Sequence, residues 1–336
     1  MRFIAALLLL LIPAFIVAQP DSTVQHLQHL VIRSYTVQTE LSLVGIKGET
    51  PGTGLVYAKK SDEKDWKATN DGKALNPEVT DVQAVVIVND SIFLAGTWKN
   101  GLYRTRDAGN SWDKLDSFPA SDIRAIRISE SHPEHIFAAT VSHGIMRSTD
   151  LGSSWHPCSA DSLRKRLASW SMEVDPTNPS RLYALTYSNG ILKTTDQGKH
   201  WEPLLKHEGI MFYDMAISNK DPNKLWAVGA NDSLGVIYTS DDQGKSWKML
   251  AETPAGSFNQ IELTGKWEDV LLVGSWNNGA FIHTHLGWSK LAAITFETIS
   301  GMHANSAKIS IFTWGNGLYE IENVWMDSGN IGLKNN

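Results

Sequence analysis

The chain has 336 residues, a formal net charge of −6 and both signs of charge scattered along it. No basic stripe of the kind nucleic-acid binders carry is present, so nucleic acid is not an expected partner. A single cysteine, Cys158, excludes an intrachain disulfide.

Residues 1–18 read as a secretory signal. Arg2 supplies the charge, Phe3 to Val17 the apolar run, and Ala18 a small residue before a plausible cut. Pro13 interrupts the run, which is short for a membrane span, and no second long apolar segment follows. Cys158 lies far from the cut and offers no lipid anchor. The expectation is a secreted or periplasmic protein, with residues 19–336 as one domain and a monomer as the working unit.

From there the chain is organised by a recurring box, Ser/Thr-x-Asp-x-Gly-x-x-Trp. It occurs as TRDAGNSW (Thr105 to Trp112), STDLGSSW (Ser148 to Trp155), TTDQGKHW (Thr194 to Trp201) and SDDQGKSW (Ser240 to Trp247). The Asp positions are 107, 150, 196 and 242, at steps of 43, 46 and 46 residues. A fixed period of this length marks stacked supersecondary units, either propeller blades or a solenoid. A short β-prone run precedes each box: GLYRT, GIMRS, GILKT and GVIYTS. The box is therefore a hairpin turn. Asp107, Asp150, Asp196 and Asp242 fold back on turn amides, and Gly109, Gly152, Gly198 and Gly244 take a positive φ. Trp112, Trp155, Trp201 and Trp247 then start the outer strand and bury their rings. These aspartates are read as turn-formers, not as catalysts or metal ligands.

Weaker units flank the four: GLVYAKKSDEKDW ends at Trp66, GAFIHTHLGW at Trp288 with His285 in the Asp position, and GLYEIENVW at Trp325. The repeat tryptophans 66, 112, 155, 201, 247, 288 and 325 are spaced by about 43 residues on average, which gives seven units. Irregular terminal units are expected in repeat arrays. Within the third full unit, Trp170 to Val174, Arg181 to Tyr187, Ile191 to Thr194 and the stretch from Trp201 read as four strands. Strands covered on both faces read as apolar runs with blurred alternation.

The pattern resembles the Asp-box, or BNR, repeat of sialidases, sortilin-type receptor domains, xyloglucanase-type glycoside hydrolases and photosystem II assembly factors. The resemblance implies an all-β fold, a single propeller of seven four-stranded blades, with the box between third and fourth strands. It does not imply one function, because that set mixes enzymes, receptors and assembly factors.

Chemistry is expected on the face away from the boxes, where the turn between strands two and three meets the start of strand one. Trp98-Lys99-Asn100-Gly101, Tyr187-Ser188-Asn189-Gly190, Trp276-Asn277-Asn278-Gly279 and Trp314-Gly315-Asn316-Gly317 recur there. Asn-Gly is turn chemistry, but the aromatic two positions earlier is not required by the turn. With Trp170 and Tyr213 at inner-strand starts, six aromatics point to one face: Trp98, Trp170, Tyr187, Tyr213, Trp276 and Trp314. They either pack between blades or ring a channel mouth where sugars or peptides stack. His143, Asn231 and Asp232 occupy the matching turns of other units, so the ring is not uniform.

Sialidase-like catalysis implies an arginine triad, a Tyr–Glu pair and an Arg-Ile-Pro element. Val31-Ile32-Arg33-Ser34 is not that element, and arginines near inner strands are few: Arg33, Arg124 and Arg127. Xyloglucanase-type enzymes work across two propellers, and this chain has room for one. A glycosidase needs two suitably separated carboxylates. The candidates are Asp81, Asp122, Glu173, Asp214 and Glu262, each equally able to be a turn or channel residue. The assembly-factor resemblance implies an arginine-rich patch, matched here only by Arg164-Lys165-Arg166. His283 and His285 share a strand side, without a third ligand at metal spacing. No metal and no cofactor are expected. The sequence thus points to a non-catalytic propeller that binds a glycan, peptide or protein partner, with glycoside hydrolase and assembly factor as alternatives.

Overall fold

The computed structural model describes residues 27, 30–38, 40–159, 167–231, 234–250, 253–254, 256–264, 267–284, 287–291, 297–304, 308–322, 324–327 and 330–333. The expected signal (1–18), the basic run 164–166, Asp232 and His285 lie outside the described residues.

The chain is a seven-bladed β-propeller. Each blade is an antiparallel sheet whose strands follow sequence order from the inside outward. Blade 1 is Val31–Val37, Leu41–Lys47, Val56–Lys60 and Lys67–Ala68; blade 2 is Val82–Ile87, Phe93–Thr97, Leu102–Thr105 and Asp113–Lys114. Blade 3 is Ile123–Ile128, Ile136–Thr140, Ile145–Ser148 and His156–Pro157; blade 4 is Ser169–Val174, Leu182–Thr186, Gly190–Thr194 and Glu202–Leu205. Blade 5 is Met211–Ile217, Leu225–Asn231, Leu234–Ser240 and Lys248–Met249; blade 6 is Phe258–Thr264, Trp267–Ser275, Ala280–Thr284 and Gly287–Lys290. Blade 7 contributes Ile299–Ala304, Lys308–Thr313 and Leu318–Glu322. Trp325, read from the repeat as an outer-strand residue, instead lies in a separate hairpin of Val324–Asp327 with Asn330–Leu333.

Second strands such as Phe93–Thr97, Ile136–Thr140 and Leu182–Thr186 are buried along their whole length, because a blade lies against each face. The apolar clusters sit between blades. Leu94 and Leu102 of blade 2, for example, pack with Ile126, Ala138 and Met146 of blade 3.

Each inner strand touches the next around the ring, and the inner strand of blade 7 touches that of blade 1. At the closure Val31 of blade 1 forms a backbone bridge with Trp314 of blade 7, and side chains pack across the seam. Tyr35 stacks on Phe312 with ring centroids 4.4 Å apart, and its hydroxyl donates to the Met302 carbonyl. Glycine is required at 301, because a Cβ there would overlap the Tyr35 ring.

The four boxes share one geometry. At Asp196, Oδ1 accepts from the Thr194 hydroxyl at 2.7 Å and the His200 amide at 3.0 Å, while Thr194 Oγ1 accepts from the Gly198 amide at 3.0 Å. Asp107, Asp150 and Asp242 repeat this with Ser111, Ser154 and Ser246. The Ser111 and Ser246 hydroxyls, then their amides, hold Asp107 and Asp242 down to a pKa of about 2. Partial burial opposes the charge at Asp150 and Asp196, but hydrogen bonds from Ser154 and His200 outweigh it and again give about 2. The residue before the box glycine is also left-handed, with φ of 56° to 62° at Ala108, Leu151, Gln197 and Gln243. A Cβ on Gly198 would strike Cys158 of the preceding blade, so that glycine serves both turn and packing. Trp66 and Trp155 are buried, while Trp112, Trp201, Trp247 and Trp288 are only half-buried.

Candidate functional site

Every inner strand carries a β-bulge at the same height. Two residues oppose one partner at Ile32/Ser34, Val82/Ala84, Ile123/Ala125, Ser169/Ser171, Phe212/Asp214, Phe258/Gln260 and Ile299/Gly301. The residue left over is Arg33, Gln83, Arg124, Trp170, Tyr213, Asn259 or Ser300. A bulge re-aims its extra side chain, and all seven of these line one cavity of about 1160 Å³ along the propeller axis.

Strand direction puts these bulges and the turns between second and third strands on one face, with the boxes on the other. The turns hook onto the inner strands. Trp98, Tyr187, Trp276 and Trp314 donate their amides to the carbonyls of Asp81, Ala168, Ser257 and Thr298. A Ser or Thr ending the second strand closes each turn, as Thr97 Oγ1 donates to Gly101 O at 2.7 Å.

All six aromatics therefore meet in one arc around the channel mouth. The Arg124 guanidinium lies 4.1 Å from the Trp98 ring centre and 5.7 Å from that of Trp170. Trp170 lies against Tyr187 at 3.8 Å, tilted by 30°, and meets Tyr213 at 6.3 Å. Tyr213 meets Trp276 at 5.8 Å, and Trp276 meets Trp314 at 6.3 Å. Arg33 covers Trp314 at 4.5 Å and pairs with Asp81 at 3.3 Å. The Asp81 carbonyl accepts from the Trp98 amide and closes the circle. Trp314 is 36% exposed and the other five rings are half-buried. Burial raises the Tyr187 phenol pKa, and the neighbouring Arg124 charge opposes that.

The five carboxylates separate into two groups. Asp81 is held by Arg33, and Asp122 accepts from the Ser142 hydroxyl at 2.7 Å; both are tied into the rim. Glu173, Asp214 and Glu262 line the channel below the arc, with Arg127 and Tyr35. Arg127 Nε donates to Glu173 at 2.8 Å. Burial pushes the Glu173 pKa up, against the pull of Arg127. Asp214 accepts from the Ile261 amide at 3.1 Å, yet burial, then the charge of Glu173, push it up to about 7. Glu262 faces His303 at 3.7 Å. A carboxyl that titrates near neutrality beside an ion pair can hold or release a proton inside the channel.

His283 packs against Trp288, 4.7 Å between rings. Among the described residues no three His, Cys, Asp or Glu side chains are grouped to hold a metal ion, and no helix is long and apolar enough to cross a membrane.

Sequence reading missed Gln83, Asn259 and Ser300, and it took Arg33 and Arg124 only as possible triad members. It also passed over Met211 and Leu234, exposed on this face. The available signal was positional: each bulge residue follows a residue in the first two positions of the inner strand that is buried in all seven blades.

Fold and boxes together define an Asp-box β-propeller. Residues 60–208 match the family described as DUF6242 beta propeller domain, and residues 238–249 match the BNR/Asp-box repeat. No curated protein matches the chain. Among solved structures, "YCF48 bound to D1 peptide" is similar at 13% identity and a TM-score of 0.66, over 89% of this chain and 95% of that one. An ancestral GH74 enzyme is similar at 16% identity and a TM-score of 0.69, over 94% of this chain and 47% of that one. The GH74 xyloglucanase from Xanthomonas campestris is similar at 11% identity and a TM-score of 0.66, over 88% of this chain and 52% of that one. The chain thus spans about half the length of these GH74 enzymes. At such identities the likeness is one of fold.

Proposed function

We propose that this protein is an exported, non-catalytic binding module that takes a peptide, protein or glycan partner at the mouth of its channel. The observation that carries the reading is the unbroken arc from Trp98 to Arg33, to which all seven blades contribute. Packing of a propeller does not require half-wet aromatics from five blades around one opening, and such rings suit ligand contact. The similar YCF48 structure holds a peptide, which supports a peptide or protein partner here. Export rests on residues 1–18, and N-terminal sequencing of the mature protein should begin at Gln19.

The test is retention of ligands from a random-peptide display library and a polysaccharide panel, by wild type and by Trp276→Ala. Binding that depends on Trp276 supports the reading; equal binding by both proteins removes it.

A second reading is favoured by one observation: Glu173, Asp214 and Glu262 share the channel, and Asp214 titrates near neutrality. That is the character of a glycosidase general acid. Release of reducing ends from the same polysaccharides, abolished by Asp214→Asn, would establish it in place of the binding reading.

A further inference from the structure

The ring faces in the arc are largely occupied. Arg124 covers Trp98, Tyr187 covers Trp170, and Arg33 with Lys47 covers Trp314. From Trp170 onward, neighbouring rings are tilted by 59°, 81° and 53°, so they form notches and not a flat shelf. Sugars stack on open faces; notches between tilted rings fit side chains.

The two guanidiniums at the mouth differ. Arg33 is neutralised by Asp81. Arg124 has no carboxylate within ion-pairing distance among the described residues. One terminal nitrogen donates to the neutral Gln83 Oε1 at 3.1 Å, and its Nε is buried without a partner. A guanidinium laid on an indole keeps its plane fixed, and its terminal nitrogens carry further N–H donors that a carboxylate can accept. The same face bears two exposed aliphatic side chains, Met211 at 37% and Leu234 at 62%. Met211 lines the same cavity as Tyr213 and Trp276, and an aliphatic group among tilted rings suits apolar side chains, not sugar rings.

We infer that the mouth recognises an extended acidic peptide, one carboxylate seated on the Arg124 guanidinium between Trp98 and Trp170, and apolar side chains against Tyr213, Trp276, Met211 and Leu234. The inference rests on the binding reading above and narrows its partner to one chemistry.

Random-peptide display on the whole protein tests it, with oligogalacturonate as the acidic sugar probe. Retained peptides should be rich in Asp or Glu. Replacing their carboxylate by an amide, or making Arg124→Gln, should each weaken binding roughly 10- to 100-fold, the loss expected for a charge-assisted hydrogen bond. Both changes together should cost no more than either alone, and Arg124→Lys should recover only part of the loss. Near-UV circular dichroism checks that each variant is folded. Trp276-dependent binding of peptides without preference for carboxylates overturns the acidic assignment and leaves the binding reading intact. Trp276-dependent binding of oligogalacturonate, with no peptide retained, overturns the peptide assignment only. Indifference of all binding to Trp276 and Trp314 removes both.

Discussion

The ring of Tyr35 lies on Phe312, 4.4 Å between centroids, at the seam where the last blade meets the first. Side-chain fit holds this seam beside the backbone bridge of Val31 with Trp314. Gly301 is the residue that admits the Tyr35 ring. Gly301→Ala should therefore overpack the seam and cost about 1–3 kcal/mol. Chemical denaturation checks this. A neutral result would mean that the seam contributes little to stability.

The boxes should act on stability and not on binding. Asp196→Ala removes bonds to Thr194 and His200 and should cost about 1–2 kcal/mol in denaturant. Ligand affinity should stay within about twofold, since the box lies on the opposite face.

The box aspartates also set the acid limit. Their folded pKa of about 2 lies below the ordinary value of 3.8. Their contribution is full above pH ~4 and is lost as pH falls through ~2. A scan of melting temperature against pH should show a steep loss in that window, and Asp196→Ala should make it shallower.

Asp214 has the opposite sign. Its folded pKa of about 7 lies above its ordinary 3.8, so the native state favours the protonated form. That favour is complete below pH ~4 and is lost as pH rises through ~7. Melting temperature should contain a component that declines from pH ~4 to ~8, absent from Asp214→Asn. The slope is the diagnostic, because Asn also alters the bond to the Ile261 amide.

The blade plan was legible because turn chemistry is local: Asp, Gly and Trp at fixed offsets specify a hairpin wherever they recur. For the same reason Trp98, Tyr187, Trp276 and Trp314 could be assigned to one face from the Asn-Gly turns, and Trp170 and Tyr213 from the inner-strand starts. What joins them was not legible. Arg124 reaches Trp98 across a blade boundary, and Gln83 reaches Arg124 likewise. Such contacts follow from the bulges, and no residue type announces a bulge. Trp325 shows the converse: a repeat spacing placed it in an outer strand, but local pairing with Gly332 put it in a separate hairpin.

The aromatic mouth is the surface proposed to bind a partner. Its most direct test is equilibrium binding of a peptide or glycan retained by the wild type, measured side by side with Trp276→Ala and Asp196→Ala. Trp276→Ala should lose roughly 30-fold or more, the scale of an interface hot spot, and Asp196→Ala should show no comparable loss. Wild-type affinity in a folded Trp276→Ala protein would contradict it.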